Sequence, residues 1–143
     1  MKAEETVDFH IRWAWHSISR LYNQIGTEHG LTTSVGYVLL TIEKEGTPST
    51  KLGPMMGMEA RSLTRTLRSM EEAGLIKRRP DKADKRLVRI VLTKEGVRKR
   101  DIAKKAVVQL NSSIQEEISK QDMEHFFRTM KKMNEIIDNQ TKA

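Results

Sequence analysis

Arg61-Ser62-Leu63-Thr64-Arg65-Thr66-Leu67-Arg68-Ser69-Met70 is the stretch on which the reading of this chain turns. Leu63, Leu67 and Met70 recur at i, i+4 and i+7, and Arg61, Arg65 and Arg68 recur at the same spacing on the opposite side. A segment with that pattern is a helix that packs one face and offers guanidinium groups on the other. Glu71-Glu72-Ala73-Gly74 follows as a C-terminal stop, because glycine readily takes the left-handed conformation that ends helices. Leu75 to Arg79 and Leu87 to Leu92 are then strand candidates, with Pro80 to Arg86 as a long, charged hairpin loop between them. An arginine-faced helix followed by a charged hairpin is an arrangement suited to reading a DNA duplex.

Working outward, Thr32 or Thr33 can cap an earlier helix whose buried face is Val35, Val38, Leu39 and Ile42, with Gly46 as its terminator. Thr47-Pro48 reads as an N-cap followed by proline at the first helical position, which predicts a short third helix from about Pro48 to Met56 and a turn at Gly57. Three short helices in this order, the last with split faces, match a helix-turn-helix. Val7, Ile11, Ala14, Ile18, Leu21 and Ile25 form a heptad-like stripe and predict a long first helix. Ala103, Val107, Leu110, Ile114 and Ile118 predict a second long helix. Ser119 with Asp122 resembles a capping box opening a last one, with Met123, Phe126, Phe127, Met130, Met133 and Ile137 on its apolar face.

The fold class expected is therefore mainly α with a small β-hairpin wing: a winged helix-turn-helix carrying long terminal helices. The expected organisation is a single domain over 1–143, with the winged lobe at 32–92 and dimerisation helices at 5–28 and 94–139. The terminal helices carry more apolar surface than a small winged lobe can cover, so pairing with a second copy is expected. A two-fold dimer would set two arginine-faced helices roughly 34–36 Å apart, one turn of duplex DNA.

Charge distribution points the same way. Residues 61–105 hold sixteen Lys and Arg against six Asp and Glu, a net of +10, whereas the rest of the chain, at ten against thirteen, carries −3. A positive middle with mildly acidic flanks fits a polyanion-binding face on a scaffold, although a solvated lysine-rich surface would look similar by charge alone. The N-terminus shows acidic residues where a secretory signal has a basic start, and no run approaches the roughly 18 apolar residues of a membrane span, so a cytoplasmic location with no membrane partner is expected. With no cysteine, disulfides and thiolate chemistry are excluded. His10, His16, His29 and His125 lack ligand-type spacing, and phosphate-loop glycines, a nucleophile elbow and a dinucleotide fingerprint are absent, so no metal, no cofactor and no enzymatic activity is expected.

The first turns of the 61–70 helix are the part that enters a major groove. Arg61 and Arg65 are candidates for guanine contacts, since one guanidinium can bond O6 and N7 together. Ser62 and Thr64 suit phosphate or sugar, and Arg68, a turn further on, suits the backbone. In the hairpin loop, Lys85 and Arg86 lie beside Asp84; a carboxylate that orients Arg86 would fit it to a narrow minor groove. Trp13, Trp15, His16 and Tyr37, with methionines, are candidates to line a ligand pocket, while aromatics beside a helical stripe also serve as plain packing.

Residues 46–96 resemble the MarR family of winged helix-turn-helix regulators. The resemblance rests on Gly57-Met58-Glu59-Ala60-Arg61-Ser62-Leu63-Thr64-Arg65, on Leu67 through Ile76, and on the wing residues Asp84-Lys85-Arg86 followed by Leu92-Thr93 and Gly96. It implies an obligate homodimer joined by its terminal helices, binding a pseudo-palindromic operator, mostly as a repressor and often released by a small aromatic ligand held between the dimerisation helices and the DNA-binding lobe. It also implies that Arg65 and its neighbours read the major groove while Arg86 enters the minor groove. Glu59 stands where the family often places a serine or threonine cap. Two other readings remain open: an architectural, weakly specific DNA-binding protein, and a winged-helix protein–protein adaptor.

Overall fold

A computed structural model describes residues 1–142. Its elements, after a 3₁₀ turn at Ala3–Glu5, are α1 (Val7–Thr27), α2 (Thr33–Thr41), β1 (Thr47–Pro48), α3 (Ser49–Met56), α4 (Ala60–Glu72), β2 (Ile76–Pro80), β3 (Val88–Leu92), α5 (Lys94–Glu117) and α6 (Lys120–Lys142). The chain divides into two compact units, residues 1–106 and residues from 107 onward.

In the first unit, α1 begins where the Thr6 hydroxyl accepts the Phe9 N–H at 3.2 Å, and α2 where Thr32 does the same for Val35. Asn23 joins the two helices, its Oδ1 accepting both the backbone N–H and the hydroxyl of Thr33. The core is a single cluster of Leu31, Val38, Leu39, Ile42, Leu52, Leu63, Leu67, Met70, Leu75, Ile76 and Ile90. Every apolar position expected on the inner face of the arginine-bearing helix is in it. Burial of such side chains stabilises the fold by about 1.5–3 kcal/mol each.

The region before the recognition segment departs from expectation. The second helix stops at Thr41, five residues short of Gly46, and Thr47-Pro48 form no helix start but a third strand. The Thr47 hydroxyl is already engaged, accepting the Glu43 N–H at 2.9 Å, and Thr47 is buried, so it cannot cap α3. Pro48 is extended, with ψ 134°, and precedes α3 with no side-chain cap. It tolerates a strand because it sits at a sheet edge, where a missing N–H costs little. The sheet runs β1-β3-β2, antiparallel throughout, with Thr47 opposite Ile90 and Ile76 opposite Leu92.

Helix α4 ends as its sequence predicts. Gly74 has φ +75°, its N–H donates to the Glu71 carbonyl, and the Leu75 N–H donates to the Met70 carbonyl at 2.9 Å. This is the paired closure that a left-handed residue makes possible. It delivers Leu75 and Ile76 straight into the core and starts β2.

The second unit holds the end of α5 and all of α6. Ser119 caps α6, its Oγ accepting the Asp122 N–H at 3.1 Å. No residue of α6 is buried, and Phe126, Phe127, Ile136 and Ile137 are each about half exposed. In the first unit the α1 stripe is similarly bare at Val7, Ile11 and Leu21. Among the described residues no helix is long and apolar enough to cross a membrane, and no group of three or more His, Asp or Glu side chains is placed to hold a metal ion.

Candidate nucleic-acid interface

The three apolar residues of α4 anchor it, so the residues between them are forced outward. Arg61, Ser62, Thr64, Arg65 and Arg68 are all exposed. Among the described residues none of the three arginines forms an ion pair, which leaves their guanidinium groups open to an incoming anion. The Thr64 hydroxyl donates to the Ala60 carbonyl at 2.8 Å. Its proton is thus spent within the helix, and only its methyl and lone pairs face outward. Glu59 occupies the N-cap without any side-chain cap bond, so the first N–H groups of α4 are free for another acceptor.

The wing is organised by two carboxylates with separate tasks. Asp84 holds Arg86: its Oδ1 accepts the backbone N–H of Arg86 at 3.0 Å and its Nε at 3.1 Å, and its Oδ2 accepts Nη2 at 3.3 Å. The Arg86 side chain is nevertheless 90% exposed, so it is oriented and available at once. Lys85, beside it, is exposed too. An exposed pair of this kind adds little stability, and what the geometry supplies is restriction of a long side chain.

Asp81 does the structural work at the base of the loop. One oxygen accepts the N–H groups of Ala83 and Asp84; the other accepts Arg89 Nε at 2.8 Å and Nη2 at 2.7 Å. Arg89 in turn donates to the Gly46 carbonyl at 2.9 Å, joining the wing to the turn before β1. Strand alternation alone does not show this role for Arg89. The available signal is Asp81 itself, since aspartate commonly accepts the N–H groups two and three residues ahead of it.

Both carboxyls sit below the usual carboxylate range. For Asp81 the main cause is the Asp84 N–H, followed by the Arg89 side chain; for Asp84 it is the Arg86 side chain, then the Arg86 N–H. A depressed folded-state pKa stabilises the wing fully above the unfolded value, near 3.9, and that contribution fades as pH falls through the lower folded value. We therefore expect hydrogen-exchange protection of the Ala83, Asp84 and Arg86 amides to hold at neutral and mildly acidic pH and to collapse below about pH 4. Protection that declined instead between pH 8 and 6 would contradict this assignment.

The four candidate pocket residues do not share one cavity. Trp13 and His16 line an open groove of about 340 Å³ along α1 with Phe9, Arg12 and Arg20. Trp15 and Tyr37 line a different cleft of about 740 Å³, which reaches the α3–α4 turn. The division follows from helix geometry: Trp13 and Trp15 are two residues apart and project about 200° from each other around α1. Trp15 stacks on Tyr37, with centroids 5.9 Å apart and planes 22° apart, whereas Trp13 packs against Phe9.

The sequence profile of the MarR family matches residues 31–88, from just before α2 to the first residue of β3. Over that stretch the chain is similar to the MarR family. Over 89 residues it is 33% identical to the HTH-type transcriptional regulator TtmR of Methylorubrum extorquens (strain PA1), a match covering 62% of this chain and 46% of TtmR, about half the length of that relative. The fold is shared with solved structures. A DNA complex of S. aureus MepR superposes with TM-score 0.82 at 19% identity, covering 91% of this chain and 97% of MepR. CouR from Rhodococcus jostii RHA1, bound to p-coumaroyl-CoA, gives TM-score 0.82 at 23% identity, covering 93% and 94%. E. coli MarR in its reduced form gives 0.71 at 22%, covering 90% and 96%. The lobe is thus a winged helix-turn-helix, in which α3 and α4 are the helix pair and β2–β3 the wing.

Proposed function

We propose that this chain is a sequence-specific DNA-binding regulator of transcription, a repressor that acts in the cytoplasm as a homodimer on a pseudo-palindromic operator. The observation that carries the proposal is the combination on one lobe of three unpaired arginines along α4 with a fourth, Arg86, held in place at the wing tip by Asp84. Arg61 and Arg65 are assigned to base edges in the major groove, Ser62 and Arg68 to the backbone, Thr64, whose hydroxyl proton is engaged within the helix, to contact with a thymine methyl through its own methyl, Arg86 to the minor groove and Lys85 to phosphate. The segments 5–28 and 94–139 are assigned to pairing of two copies, which would cover the exposed apolar residues of α1 and α6. MepR in complex with DNA and CouR bound to p-coumaroyl-CoA supply precedents on this fold for binding a duplex and for binding a small molecule.

Selecting bound fragments from a random duplex pool tests the proposal directly. A regulator enriches an inverted repeat with half-sites about 10 base pairs apart and binds it roughly 10³-fold tighter than unrelated duplex at the same salt. Uniform affinity that merely falls with salt would establish an architectural DNA-binding protein instead. Absence of any duplex binding would leave the adaptor reading.

A further inference from the structure

The cleft beside α4 has an unusual lining. It is lined by two aromatic residues, Trp15 and Tyr37, by Met55, Met56 and Met58, and by the acidic Glu59; the remaining contributors, including Ser34, Thr41 and Ser62, are neutral. No lysine, arginine or histidine faces it. Burial raises the Tyr37 pKa, so its phenol stays neutral at physiological pH, and Glu59 is the one acidic or basic residue in the lining.

Each of these features selects for the same chemistry. At about 740 Å³ the cleft lies within the range that holds drug-sized ligands. Trp15 stacks on Tyr37 and lines the cleft, so an aromatic surface is presented to an occupant there. Indole and phenol faces attract cations, and methionines are soft enough to fit rings of varied outline. Glu59 has no cap bond and, among the described residues, no ion-pair partner. The positive end of α4 offsets about half of its charge, leaving the cleft net negative. The other groove, along α1, is the electrostatic opposite, with Arg12 and Arg20 and no carboxylate.

We propose that the Trp15–Tyr37–Glu59 cleft is a binding site for an aromatic monocation and rejects aromatic anions. This deepens the regulator reading by naming the class of effector, because Glu59 and Ser62 belong to the start of the helix assigned to the major groove. A cation seated on Glu59 holds that end of α4 in place, and it weakens operator binding to the extent that it prefers an arrangement the operator does not.

Tetraphenylphosphonium and tetraphenylborate provide the test, being nearly the same shape with opposite charge. In a Trp13→Phe variant Trp15 is the sole tryptophan, and its fluorescence reports this cleft alone. We expect saturable quenching by the phosphonium, at least tenfold weaker quenching by the borate, and a tenfold loss of phosphonium affinity in Glu59→Gln. That variant keeps its fold because the Glu59 side chain makes no cap bond. Equal binding of the two ions at Trp15, indifference to Glu59→Gln, or no saturation at millimolar phosphonium would each overturn the site. In a second arm, phosphonium is expected to weaken binding to the selected operator about tenfold in the parent protein and not in Glu59→Gln. Cation binding with unchanged operator affinity would overturn the effector role. Failure to bind any DNA without the cation would instead sink the regulator reading and leave the cation site standing.

Discussion

Changing Arg65 and Arg86 together to alanine is expected to lower operator affinity by a hundredfold or more, while thermal stability moves by less than about 0.5 kcal/mol. Each well-placed base contact contributes about 1–3 kcal/mol of discrimination, and the two arginines sit on separate elements, so their losses should nearly add. Neither side chain is used internally in a way that matters for folding. Arg65 is exposed and outside every ion pair among the described residues, and Arg86 pairs only with Asp84 at an exposed site. Fluorescence anisotropy against the selected operator, beside a thermal melt, separates the two effects. The single variants should differ in kind: Arg65→Ala should relax preference at one base position, whereas Arg86→Ala should alter preference for narrow, A·T-rich minor groove at the flanks. If the double variant bound its operator as tightly as the parent, the assignment of this face to DNA would fall.

Gly96→Ala is expected to destabilise the first unit by about 3 kcal/mol, although glycine-to-alanine inside a helix normally helps by up to about 1 kcal/mol. A β-carbon at Gly96 would overlap the Leu75 carbonyl oxygen and stand 3.3 Å from Leu92 Cδ2. The oxygen cannot move aside, because it already accepts the Thr93 N–H at 3.0 Å. Thr93 closes the same joint from its side chain, donating its hydroxyl to the Gly74 carbonyl at 2.6 Å and accepting the Gly96 N–H at 3.0 Å. The steric term therefore exceeds the propensity term. Gly36→Ala supplies the contrast within the same unit: its new methyl would meet only Ala103 Cβ, at 3.7 Å, an ordinary contact. That variant should be stabilised by about 0.5–1 kcal/mol. Urea unfolding of the two proteins in parallel should give shifts of opposite sign. A neutral Gly96→Ala would show that the α5 joint yields.

How far the sequence could be read depended on whether a residue's partner lay within one helical turn or one strand pair. The split faces of 61–70, the stop at Gly74 and the Asp84–Arg86 pair are local, since each is decided by spacing along the chain, and each is present in the structure. Thr47-Pro48 was legible only as a helix start, because its strand partner, Ile90, is more than forty residues away. The same distance hid the bond from Arg89 to the Gly46 carbonyl, and its bond to Asp81, eight residues away, forms only when the hairpin closes. The aromatic residues failed as a set for a simpler reason: proximity in sequence placed Trp13 beside Trp15, and the helix turned them to opposite sides.

By itself the sequence determined that this is a mainly helical chain with one arginine-bearing face and a charged hairpin, because periodicity and charge are properties of short segments that helices and strands display directly. Only the tertiary structure decided that Gly96 must be glycine, that the wing rests on Asp81 and Arg89, and that Trp15, Tyr37, three methionines and Glu59 enclose one cleft. Those outcomes depend on which backbone atoms and side chains meet after long loops close, and no short stretch of chain contains that information.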